Sequence, residues 1–147
     1  MEKFDINWLA IIVASIIPLV TGFIWYNPKV FGTVWMKETG MTPEKAEQSN
    51  PAKTFGVAVI FAFLIACSLW PEVMLGGVPG EVHGAGGNFM TFKHGALHGG
   101  LAGLLIAFPV LGTNALFEQK SAKYILINAG YWILTMSLMG GVINSWV

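Results

Sequence analysis

Four stretches of the chain run almost without charge for about 20 residues, the length of helix that crosses a hydrocarbon core roughly 30 Å thick. They cover residues 7–27, 51–70, 94–117 and 122–146. Polar and turn-forming residues punctuate their ends. "YNP" closes the first, "SNP" opens the second with Asn50 as N-cap and Pro51 at the first helical position, and "WPE" closes the second. In the connection 28–50, Thr42 before Pro43 predicts a short surface helix. The connection 71–93 carries "LGGVPGEVHGAGGNF", a glycine-rich loop rather than a folded unit. The pattern predicts an all-α protein: one membrane domain over residues 1–147, a bundle of four transmembrane helices with short loops.

Composition agrees. Hydrophobic residues make up 54% of the chain and charged residues 11%, against about 25% charged in an ordinary soluble domain. All eight basic residues are lysine and the net charge is zero, so no nucleic-acid partner is expected. Cys67, the single cysteine, sits in an apolar run with no partner for a disulfide or a metal and reads as packing. The first apolar stretch is about twice the length of a signal-peptide core and lacks a cleavage pattern, so it reads as a retained span.

Lys29, Lys37, Lys45, Lys53, Lys120 and Lys123 fall on one side of the spans, Lys3 and Lys93 on the other. The positive-inside rule therefore assigns both lysine-rich connections to the cytoplasm and both termini to the outside. Trp8, Trp70 and Trp146 then mark the outer interface; Trp25, Tyr26 and Tyr124 mark the inner one.

Helices in lipid associate through close approach at small residues and through interhelical hydrogen bonds. Each span offers a small-residue stripe: Ala10, Ala14 and Gly22; Ala58, Ala62 and Ala66; Gly95, Gly99 and Gly103; Gly130, Ser137 and Gly141. These stripes serve either the bundle or a homo-oligomer.

Candidate chemistry is sparse. His94 and His98 lie four residues apart and so share a helix face; with His83, and Glu81 nearby, they form the one conceivable metal set, zinc being the natural occupant. Hydrogen bonding across helices and a proton or solute pathway are the other uses of such a pair. A haem would need histidines on facing spans, which are missing, and the mid-span serines have no acid–base partner. Asp5, Glu72 and Glu118 fall at span ends, leaving no carboxylate for proton coupling. Asn128, Tyr131 and Thr135 recur at three- and four-residue steps, a polar line on one face of the fourth span, and Asn114 adds an amide to the third. Pro18 and Pro109 interrupt the first and third spans, as kinks or as paired breaks around a ligand.

Several local patterns coincide: "NWLA" at Asn7, "WYNPKVFGTVWMKETGMT" from Trp25, "ALFEQKSAKYILINAGYWIL" from Ala115, and "LHGG" in a glycine-rich third span. Together they resemble the domain-of-unknown-function 1761 family of small bacterial membrane proteins. The resemblance covers nearly the whole chain, except the glycine-rich connection. It implies a four-span protein of a bacterial cytoplasmic membrane and no activity. Within the matched block, Trp25, Tyr26 and Trp35 read as headgroup anchors or as a contact for lipid or an apolar partner.

The expected function is that of a non-enzymatic bundle without a cofactor that binds or passes a small solute or lipid, with His94, His98, Asn114, Asn128 and Tyr131 as candidate cavity residues. Two alternatives stand beside it. One is a metal or redox protein using His83, His94 and His98; the other is an accessory subunit of a membrane complex that docks through its small-residue stripes.

Overall fold

A computed structural model describes residues 6–74 and 90–146. Among these residues the chain is helical, without strands, and four of its helices are long and apolar enough to cross a membrane. The first span is α1 (Trp8–Trp25), with Asn7 accepting the Ala10 N–H at 3.1 Å. A π-helical turn, Pro28–Gly32, leads to α2 (Thr33–Thr39) and α3 (Pro43–Glu47). The second span is α4 (Pro51–Met74). The third is one continuous rod made of α5 (Phe92–Ala102), a π-helical stretch Gly103–Ala107, and α6 (Phe108–Phe117). The fourth is α7 (Ala122–Ser145).

Side chains fix the heads of three helices, two of them, at Thr42 and Asn50, where the sequence placed them. Thr42 accepts the Lys45 N–H at the head of α3, Asn50 accepts the Lys53 N–H at the head of α4, and Ser121 accepts the Tyr124 N–H at the head of α7. One boundary differs: "WPE" does not end the second span. The helix runs through Pro71 to Met74, because the missing N–H of proline removes one bond while the next turn buries Val73 completely beside Leu69. The connection is therefore shorter than 71–93 at both ends, since Thr91 caps α5 and Phe92 begins it. The short α2 has no counterpart in the sequence expectation.

Pro109 explains the π-helical stretch of the third span. The register widens to a five-residue reach, with the Phe108 N–H bonding the Gly103 carbonyl, immediately before the residue that has no N–H to give. The rod stays helical across a proline that would clash with an ordinary i−4 carbonyl.

α7 lies at the centre and packs on α1, α4 and the whole third span, while α1 also packs on α4. Its interface with α5 is a backbone-to-backbone seam. A methyl group added at Gly95 would stand 2.2 Å from the Gly140 carbonyl oxygen, and one at Gly99 would stand 2.1 Å from that of Met136. Gly103 also lies close on the Ile133 backbone, where a methyl group would stand 2.7 Å from its Cα. Ser137 Oγ donates to the Ala96 carbonyl at 2.7 Å and Asn144 Nδ2 to that of Thr91 at 2.8 Å, sewing the seam at two levels. The Gly95, Gly99 and Gly103 stripe is thus spent inside the chain. The other stripes divide: Ala10, Ala14, Ala62 and Ala66 are buried, Ala58 is exposed, Gly130 lies under the Trp25 indole, and Gly141 abuts the Phe92 ring. Gly130 and Gly141 accordingly serve different neighbours rather than one.

The core joins Ile11 and Ala14, Ala66, Leu69 and Val73, and Met136, Met139 and Ile143. All belong to the half of the bundle nearest the chain termini. Toward the opposite end, which carries residues 28–50 and the 118–121 turn, the bundle opens: nearly every α4 side chain from Pro51 to Phe61 is exposed, as is most of α6.

Candidate functional site

The polar line on α7 is paired, residue by residue, with the loop-side half of α1. Thr135 and Thr21 hydroxyls meet at 2.8 Å, Tyr131 Oη donates to the Pro18 carbonyl at 2.7 Å, and Tyr26 Oη donates to Asn128 Oδ1 at 2.8 Å. Beside that pair, Trp25 Nε1 donates to the Ile127 carbonyl at 3.1 Å. The aromatic rings extend this ladder: Tyr26 lies 5.1 Å from Tyr131 and 5.2 Å from Trp35, and Trp25 lies 4.5 Å from Phe31.

Local sequence explains why "YNPKVFG" can turn here. Asn27 accepts the Lys29 N–H with its side chain and the Gly32 N–H with its carbonyl, and Pro28 starts the turn. Gly32 lies so close to the Tyr26 carbonyl that a methyl group would stand 2.1 Å from it. The turn folds Phe31 and Trp35 back on Trp25 and Tyr26, so these aromatics join α1 to α7. On the same face Glu38 accepts a hydrogen bond from Ser121, tying α2 to the head of α7.

The five candidate cavity residues do not line one space. Asn128 and Tyr131 belong to the ladder just described. Asn114 is exposed on α6, and His94 and His98 lie at the other end of the bundle on α5. The two imidazoles stack with centroids 4.5 Å apart and planes tilted by 53°, both half-buried. No group of three metal-ligating side chains occurs among the described residues. His83, Glu81, Lys3 and Asp5 lie outside them.

The open space is elsewhere. α4 leans away from the third span, leaving a lateral groove of about 460 Å³ floored by Trp132 and Met136 of α7 and walled by α4 and by residues 102–111. Its lining is apolar apart from Ser68 and Glu72 of α4. Ser68 Oγ is turned to the Leu64 carbonyl at 3.0 Å, so it offers little to a ligand. Glu72 is exposed, and no lysine lines this groove. Leu64, Ser68 and Glu72 step by four residues along one face of α4, a spacing visible in the sequence. What hid them was Pro71: with the span ended at Trp70, Glu72 fell in the loop. Two further apolar grooves flank α7, one beside α5 with Lys93 at its edge and one beside α1.

A family model described as "Protein of unknown function (DUF1761)" matches residues 9–144. Neither the curated proteins nor the solved structures contain a match.

Proposed function

The chain belongs to the DUF1761 family, whose description assigns no function, and we propose that it is a non-enzymatic membrane protein that binds a lipid-like molecule in the groove between α4 and the third span. One observation carries this reading: the groove of about 460 Å³ is apolar and opens sideways rather than along the bundle axis. A pathway for a hydrophilic solute would need polar groups along an axial space, and the polar groups of α1 and α7 are engaged with each other. A lateral apolar groove in a helix long enough to span a bilayer is reached from the hydrocarbon.

The same reading places the protein in a bacterial cytoplasmic membrane, with residues 28–50 and the 118–121 turn on the cytoplasmic side. The lysine distribution supports that orientation. Neither a cofactor nor a catalytic group enters the proposal.

The experiment is native mass spectrometry of protein extracted in mild detergent. Wild type should carry a bound lipid through detergent exchange, and Ala107→Phe, which adds a ring in the groove wall, should lose it. Equal lipid retention by the two proteins would remove the groove from consideration.

A further inference from the structure

We propose that the groove selects a phospholipid whose headgroup carries an ammonium, with Glu72 as the selecting carboxylate. This rests on the lipid-binding reading above and adds the class of lipid.

The first support is charge. Within an apolar lining, Glu72 is the one ionisable side chain, and no described residue forms an ion pair with it. A carboxylate at the mouth of an apolar groove attracts a cation and repels an anion, and the attraction gains where the surroundings exclude water. An ammonium headgroup answers this; a headgroup with net negative charge does not.

Depth is the second support, and it separates a lipid from a small hydrophobic cation. Glu72 lies in the last turn of α4, at the end of the span, where headgroups begin. From there the lining descends to Leu64, eight residues deeper, or about 12 Å at 1.5 Å per residue. One leaflet of hydrocarbon is about 15 Å thick, half the core. On the third span the lining runs from Ala102 to Leu111, ten to nineteen residues beyond Phe92, or about 15–28 Å at 1.5 Å per residue, so the groove reaches from the headgroup level past the middle of the bilayer, long enough for an acyl chain hanging from its headgroup. A compact cation would fill only its mouth.

Lys93, at the edge of the neighbouring groove, carries no comparable implication. A lysine at the end of a span reaches the interface by itself.

The test compares phosphatidylethanolamine with phosphatidylglycerol of identical acyl chains, titrated onto delipidated full-length protein and read by native mass spectrometry. Wild type should bind the ethanolamine lipid at least fivefold more tightly. Glu72→Gln should bring the two affinities within twofold of one another while still binding lipid. Equal affinities in wild type, or a preference that survives in Glu72→Gln, would overturn the headgroup assignment and leave the groove reading intact. Unaltered binding of both lipids to Ala107→Phe would instead overturn the groove reading, and the headgroup assignment with it. Should Ala107→Phe fail to fold, Val110→Phe at the exposed rim of the same wall serves that arm.

Discussion

Tyr131 of α7 donates its hydroxyl proton to the main-chain carbonyl of Pro18, 113 residues earlier, at 2.7 Å. The bond joins the fourth span to the first at the proline of the first. The single hydroxyl proton of Thr21 faces the same carbonyl at 3.3 Å but has the Ile17 carbonyl at 3.0 Å and Thr135 Oγ1 at 2.8 Å as closer partners. Tyr131→Phe keeps the ring against Tyr26 and Trp132 and removes only the hydroxyl. The expected cost is about 1 kcal/mol or less, measured as a lowered unfolding midpoint in detergent. A loss beyond about 3 kcal/mol would mean that the hydroxyl holds more of the α1–α7 contact than one hydrogen bond.

The α5–α7 seam gives a sharper contrast between two glycines. Alanine favours a helix over glycine by about 1 kcal/mol, so Gly56→Ala, with open space around it, should leave stability unchanged or raise it. At Gly99 the same methyl meets the Met136 carbonyl oxygen at 2.1 Å. Backbone cannot step aside as a side chain can, and overpacking of about 1–3 kcal/mol should outweigh the helical gain. Thermal unfolding of the two variants in one detergent should move in opposite directions or differ by several degrees. Equal midpoints would mean that the seam is looser than its geometry.

A pH effect is expected at α3. The hydroxyl of Thr42 bonds the exposed Glu44 carboxyl and, with its own backbone amide, holds it below the ordinary carboxylate range. A lowered folded value means that the ionised form favours the folded turn. The contribution is whole above the unfolded carboxylate value of about 4.3 and fades as pH falls through the lowered one. The Lys45 amide resonance, whose N–H bonds Thr42 Oγ1, should hold steady from neutrality to about pH 5 and shift on further acidification. Thr42→Ala should abolish that shift.

Zinc should leave the unfolding midpoint unmoved. His94 and His98 supply two donors, and a structural site takes about four. A rise of several degrees that disappears in His94→Ala would bring a third donor from residues 75–89, where His83 lies.

The spans themselves were legible because a bilayer imposes a length of apolar sequence that few other structures need, and caps such as Thr42 and Asn50 stand in plain view. The polar line of Asn128, Tyr131 and Thr135 was legible too, because only the bundle interior can satisfy those groups in lipid. Its partners were harder to see. Thr21 offers no more than a single hydroxyl, and the Pro18 carbonyl has no mark in a sequence. Direction was the larger loss. When every face of a helix is apolar, periodicity no longer tells core from lipid, so neither the lean of α4 nor the groove beside it could be read. Pro71 then hid the one carboxylate in that groove by resembling a stop.

The pairing of α1 with α4, and of α5 with α7, sets an order for the ribosome. At roughly 5–20 residues per second, the first two spans enter the bilayer and find each other early. The glycine-backed third span meets α4 first, but its backbone seam waits for α7, several seconds later. Arrival of α7 closes the glycine seam and the Tyr131–Pro18 bond together, so the backbone seam of the third span and the polar bond of the first both wait on the last span.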